Sequence, residues 1–221
     1  MTFDIYVAAG IVSGGVLLSV LAAFSLSGVI SGLKGIGIRA HAGQIKSDAK
    51  FLLQLAENAR SSGTLAVEQA CNAEVDPFLR ELLHLTAGSM DVNILRSTLA
   101  FKMRIKTEQI EETERFWNFI VSAYSAWGMI GALTGLALAA SNSEYAAKGF
   151  MIAMLSALQG VLASQCIALP ILQRIKSKGT NYLRRIRMIN EGLISVKAGE
   201  TPRFMKERLN IYSGTDGGLF D

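Results

Sequence analysis

The chain alternates between long charge-free runs and segments in which charge recurs every few residues. No charged side chain occurs over residues 5–33, 116–143 or 149–172. A helix needs about 20 apolar residues to cross a hydrocarbon core of roughly 30 Å, and each run is long enough. Three membrane-spanning helices are therefore predicted, within residues 1–33, 116–140 and 149–172. The first run is preceded by Asp4 and by no Lys or Arg. It also outlasts the apolar core of about 7 to 15 residues in a secretory signal, so it reads as a retained span.

The remaining segments carry a helical period. Residues 50–59 place Phe51, Leu52, Leu55 and Ala59 on one face. Ser61-Ser62-Gly63 breaks that helix, and Thr64 starts a short one through Glu68. Asp76-Pro77 is a helix start, Asp as cap and Pro preset for the first turn, with an end near Gly88. Asp91 then caps a very long helix whose stripe is Val92, Leu95, Leu99, Met103 and Ile110 and which runs on into the second span. About 50 residues at 1.5 Å each give roughly 75 Å. The third span continues past its apolar run, with a break expected at Gly179, to Ala198-Gly199. Thr201-Pro202 begins a final amphipathic helix over 203–212, and the Gly-rich tail 213–221 is expected to be loose. No strand pattern occurs, so the predicted fold is all-α: three transmembrane helices with long helical extensions outside the membrane, the ring-forming part of this expectation resting on the small-residue faces and the resemblance described below.

Charge supplies the orientation. Lys34, Arg39, Lys46 and Lys50 follow the first span, Lys102, Arg104, Lys106 and Arg115 lead into the second, and Arg174 through Arg187 follow the third. The 141–148 connection holds one Glu and one Lys. The positive-inside rule puts the N-terminus outside, 34–115 and 173–221 in the cytoplasm, and only 141–148 on the far side of the membrane. The net charge of +4 is accounted for by these flanks and by anionic headgroups, without nucleic acid.

The chemistry is sparse. His41 and His84 have no acidic or cysteine cluster at ligand spacing, Cys71 and Cys166 have no pairing or metal pattern, and the glycines around Lys34 lack the phosphate-loop spacing. No nucleophile, base and orienter can be assembled, so no enzyme, metal or cofactor is expected. None of the three runs contains a carboxylate, a histidine or a basic side chain, although ion pathways usually carry such a group. If ions cross, the titratable group comes from another chain. The spans instead carry small and weakly polar residues: Ser122, Ser125, Gly128, Gly131, Thr134 and Gly135 in the second, Ser156, Gln159, Gly160, Ser164 and Gln165 in the third. Small residues let helices approach closely in lipid, and these faces are expected to pack subunits into a homo-oligomer.

The run WGMIGALTGL over 127–136, SALQGV over 156–161 and Leu169-Pro170 resemble the last two spans of the MotA/TolQ/ExbB proteins, the larger subunits of ion-driven membrane motors. INEGLISVKAGETPR over 189–203 and DPFLRE over 76–81 resemble its flagellar MotA branch. The match covers about residues 50–212. It implies a ring, typically of five copies, around two copies of a smaller single-span partner of the MotB, TolR or ExbD kind. That partner supplies an intramembrane aspartate for a proton or sodium ion, and the ring's cytoplasmic charges push a rotor protein. The resemblance places Ala132 and Ala157 where many relatives carry pathway threonines; sodium-driven relatives use those hydroxyls, so two alanines favour protons. It places Arg60 and Glu68 at rotor-contacting positions. The chain departs from the flagellar branch in having three spans rather than four. The sequence after Ser19 resembles that branch's second span, and three is the number in TolQ and ExbB.

At 100° per residue Ser125 and Ala132 share a face, Thr134 points elsewhere, and Ala157 lies with Gly160 and Ser164 while Ser156 and Gln159 share another side. If the pore face of the family it resembles carries over, the resemblance implies an ion-pathway face of Ser125, Ala132, Ala157 and Ser164, with Ser125 and Ser164 replacing the lost hydroxyls. Pro170 is expected to bend the third span near its cytoplasmic end. The function so implied is a proton-conducting subunit of a motor most like a flagellar stator. The alternatives are a TolQ/ExbB-like energiser of envelope processes and a non-conducting scaffold ring.

Overall fold

The computed structural model describes residues 2–34, 44–71, 76–88, 91–141 and 143–212, and among them every regular element is helical. His41 and the tail 213–221 lie outside the described residues. The helices are α1 Thr2–Ala23, α2 Leu26–Lys34, α3 Gln44–Ser62, α4 Thr64–Cys71, α5 Pro77–Ala87, α6 Val92–Ser141, α7 Ala146–Leu162, α8 Leu169–Lys197 and α9 Pro202–Asn210. A π-helical segment, Ala163–Ala168, joins α7 to α8. The chain forms two compact units, Met1–Ile38 with Gln109–Ser177, and Arg39–Glu108 with Lys178–Asp221.

The first unit holds three candidate spans: Tyr6–Ala23, the apolar part of α6, and the α7–π–α8 helix. The first charge-free run is two helices, not one. Phe24 and Ser25 leave the helical path, and Ser25 restarts it as a cap, its Oγ accepting the Gly28 N–H at 3.3 Å. Phe24 packs edge-on against Phe116 and Phe119. Phe116, Trp117, Leu172 and Ile175 form the buried centre of this layer. Two α6 indoles fasten it to the first helices: Trp117 Nε1 donates to Gly32 O at 3.1 Å and Trp127 Nε1 to Ser19 Oγ at 2.8 Å. A Cβ on Gly15 would stand 2.1 Å from the Trp127 ring, so the indole lies on bare backbone.

The second unit is a helical bundle. Its core joins Leu52 and Leu55 of α3, Leu82 and Leu83 of α5, Leu95 and Leu99 of α6, Met188 and Leu193 of α8, and Met205 of α9. The predicted α6 stripe is the buried one: Leu95, Leu99 and Ile110 are inside, Val92 and Met103 partly so. The Gly63 turn has φ +63°, the left-handed conformation a helix stop there requires. Gly199, at φ +70°, ends α8 with Glu200 N–H bonded back to Ser195 O and Gly199 N–H to Val196 O. Gly179 does not break α8, because its backbone continues helical on both sides and the residue is buried. α4 continues past Glu68 to Cys71. Burial pushes the Cys71 thiol above its ordinary range, and its S–H donates to Val67 O at 3.3 Å.

Candidate ion pathway and its helical frame

The polar residues of the second and third spans are brought together by glycine. A Cβ on Gly135 would fall 2.4 Å from Ala153 N, and one on Gly149 2.4 Å from Ala139 N. Gly128 and Gly160 are likewise reciprocal, each Cβ position lying within 2.8 Å of the other residue's Cα. Two glycine pairs thus hold α6 and α7 backbone against backbone, the close approach that small residues permit in lipid. This corrects the expectation that these faces join subunits: the glycines of both spans are used inside one chain. The reason is visible in their register, since Gly128 and Gly135 on α6 face Gly160 and Gly149 on the antiparallel α7.

Within this contact Ser125 Oγ donates to Ser164 Oγ at 2.9 Å, and Gln165 Nε2 reaches the same Ser164 oxygen at 3.3 Å. Ser164 is fully buried while Ser125 is largely exposed, so the pair runs from the outer surface of the subunit into its helix interface. Ala132 and Ala157 are both half-buried at the edge of that interface. Thr134 is turned away from the pair: its hydroxyl donates back to Ile130 O at 2.8 Å and Gly131 O at 2.9 Å. Ser156 was assigned a different side from Gly160 and Ser164, yet all three are buried in one row. Residues four apart differ by only about 40° on a helix, so the row slants across the face rather than following the wheel. The Ser156 hydroxyl is buried with no hydrogen-bond partner among the described residues.

Ser164 lies in the π segment, where the Leu169 N–H bonds to Ser164 O, five residues back. Pro170 has no N–H to give. The Gln165 carbonyl consequently loses both ordinary helical donors: Leu169 is committed one residue earlier, and Pro170 cannot donate. The departure from α geometry thus sits in the turn before Pro170, around the serine pair, and α8 carries the proline itself at its second position.

In the second unit Arg60, in the last turn of α3, and Glu68, on α4, are both exposed. The Asp76 cap of α5 is present, its Oδ1 accepting Phe78 N–H at 3.1 Å. A site the sequence does not announce lies behind it. Arg185, one of the basic residues used above only for orientation, is buried and donates to Asp48 through Nε and to Asp76 Oδ2 through Nη1 at 2.8 Å. Burial alone would lower the Arg185 pKa; the hydrogen bonds to Asp48 and Asp76 more than reverse this, and the net direction is up. Tyr182 beside it is pushed up by burial and by the Asp76 charge.

Residues 70–188 match the profile of the MotA/TolQ/ExbB proton channel family. The chain is similar to the uncharacterized protein YtxD of Bacillus subtilis, 27% identical over 212 residues, 93% of this chain and 78% of that protein. Similarity to motility protein A of Borreliella burgdorferi is 25% over 170 residues, 74% of this chain and 64% of that one. For the chemotaxis protein PomA of Vibrio alginolyticus it is 25% over 212 residues, 91% and 81%. The match therefore spans between 64% and 81% of the length of these three relatives. Among solved structures, C. jejuni MotAB superposes with a TM-score of 0.84 at 17% identity, over 99% of this chain and 86% of that one. The flagellar MotAB stator complex from Bacillus subtilis gives 0.81 at 20% identity, over 93% and 83%. At these identities the structural likeness is one of fold.

Proposed function

This chain belongs to the MotA/TolQ/ExbB proton channel family, and from that premise we propose that it is the ring-forming subunit of an ion-motive-force-driven motor, most like a flagellar stator. It sits in the bacterial inner membrane with its N-terminus outside, five copies surrounding a single-span partner of the MotB kind. Protons are the transported ion. The observation that carries the reading is a polar pair inside spans without any carboxylate, histidine or basic side chain: Ser125 and Ser164 joined at 2.9 Å, with Ala132 and Ala157 two helical turns further along the same two helices. Serine hydroxyls and waters alone make a poor proton site in a low-dielectric interior. The partner supplies the carboxylate, and the hydroxyls and the freed Gln165 carbonyl supply polar neighbours for the water that reaches it. Arg60 and Glu68, exposed at the α3–α4 turn, face the rotor. The relatives named motility protein A and PomA, and the MotAB likeness, support the motor branch.

The reading is tested by proton flux in vesicles holding this chain alone, the chain with its partner, and the chain with a partner aspartate-to-asparagine variant. Flux is expected only in the second preparation. Equal flux in all three refutes the partner-carboxylate mechanism, and none in any of them leaves a scaffold ring.

A further inference from the structure

The fold contains an ionic clamp that the pathway does not use. Arg185 is 4% exposed and Asp48 8%, both deep for charged residues, and the guanidinium is shared between two carboxylates from different helices. Asp48 is on α3, and Asp76 caps α5; the segment between them contains the α3–α4 turn with Arg60 and Glu68. Arg185 belongs to α8, the uninterrupted continuation of the third span. A single side chain therefore ties both flanks of the Arg60–Glu68 segment to the stretch of α8 that lies in the second unit.

The far end of α5 is tied to the same helix. Lys197 Nζ lies 3.4 Å from Thr86 O and 3.5 Å from Gly88 O, the free carbonyls at the α5 C-terminus, where a cation is favoured. From Asp76 to Gly88 and from Arg185 to Lys197 the chain advances equally, so α5 runs parallel to α8 and is fastened at both termini. Phe78 packs on Tyr182 at 6.4 Å between ring centres, closing the apolar side of the clamp. Only arginine offers a planar fork able to serve two carboxylates at once; lysine presents a point charge.

We propose that Arg185 is the positioning residue that locks the Arg60–Glu68 segment to the part of α8 around it, so that the rotor-facing charges move together with that stretch of helix. The motor clause rests on the function proposed above; the mechanical clause does not. Removing one member of a buried ionic group leaves an uncompensated charge, so the variants are chosen to separate coupling from simple misfolding. They are Arg185→Lys, Arg185→Met, Asp76→Asn, and a neutral triple of Asp48→Asn, Asp76→Asn and Arg185→Met. Asn is as good a helix cap as Asp, so Asp76→Asn removes the charge and keeps the α5 cap.

Hydrogen exchange is measured on the full chain in mild detergent, and swimming speed in the native host carrying the same chromosomal substitutions. Amides of α3 to α5 are expected to exchange about tenfold faster in Arg185→Met and in the neutral triple, with α1 and α7 unchanged. Arg185→Lys is expected to recover part of that protection. Speed is expected to fall with the loss of protection while the amount of membrane-inserted protein stays constant. Unchanged α3–α5 exchange in the neutral triple overturns the clamp, as does faster exchange throughout the chain, which would make Arg185 a general stabiliser. Wild-type speed with protection lost overturns the coupling clause. If deleting the chain leaves motility intact, the motor reading fails, and exchange alone still decides whether Arg185 holds the segment.

Discussion

Ser125 and Thr134 occupy one span and carry similar hydroxyls, and their surroundings separate them. Ser125 donates across to Ser164 in the next span, whereas Thr134 is satisfied by its own helix. Replacing Ser125 by Ala removes an interhelical hydrogen bond and leaves the buried Ser164 oxygen with the longer Gln165 contact. Such bonds average about 0.6 kcal/mol in membranes, so flux with the partner present is expected to fall about threefold. Thr134→Ala is expected to leave flux within error. A vesicle flux assay on both variants checks the pair, and a larger loss from Thr134→Ala would place the pathway on the opposite face. Helical spacing was enough to separate these two residues, because their angular offset is large. It was not enough for Ser156, where a 40° slant decides between interface and edge. Arg185 was illegible for a different reason. A basic residue past a span has a complete explanation in membrane orientation, and its two carboxylates lie more than a hundred residues away in sequence.

At the scale of elements, local chemistry carried the termini well. The Asp76-Pro77 start, the Gly63 stop and the Gly199 stop each have a specific backbone requirement, and each is met. The break at Phe24–Ser25 was hidden because apolar run length alone cannot distinguish one helix from two, although Ser25 with Gly28 three residues on is a usable cap signal. Gly179 misled in the opposite sense: glycine lowers helix propensity, yet burial against the bundle overrides a penalty of about 1 kcal/mol. The glycines of α6 and α7 are the decisive element-level residues. Gly135→Val puts a side chain into the Ala153 backbone, and overpacking of this kind costs at least about 1–3 kcal/mol. Gly14, with open space where its Cβ would be, provides the control. Thermal unfolding of the solubilised protein is expected to shift down by several degrees for Gly135→Val and to stay level or rise for Gly14→Ala. A Gly135→Val protein as stable as the wild type would mean that α6 and α7 do not pack backbone to backbone.

For the whole molecule, Gly128, Gly135, Gly149 and Gly160 are used within one chain, so any association of copies uses other surface. That surface is present. Met129, Leu133, Phe150, Met154, Leu158 and Val161 are all more than half exposed on the spans. In a membrane, lipid covers such side chains as well as another protein does, so their exposure alone does not require an oligomer. The polar residues bear on it differently. Ser125 and Gln165 are exposed in apolar spans; each bonds once to Ser164 Oγ and keeps further donor and acceptor capacity. Unsatisfied polar groups in hydrocarbon cost several kcal/mol, which favours states in which that side of the span meets protein or a water-filled interior. A ring in which each copy turns the Ser125 side inward meets this requirement, and a lone subunit in lipid does not. The chain is therefore expected to run as a closed oligomer in mild detergent, five copies being the number its family implies. Native mass spectrometry of the purified full chain, with and without its partner, gives the count directly. A monomeric mass in both samples, or an open series of masses without a preferred copy number, would remove the ring and with it the enclosed polar path.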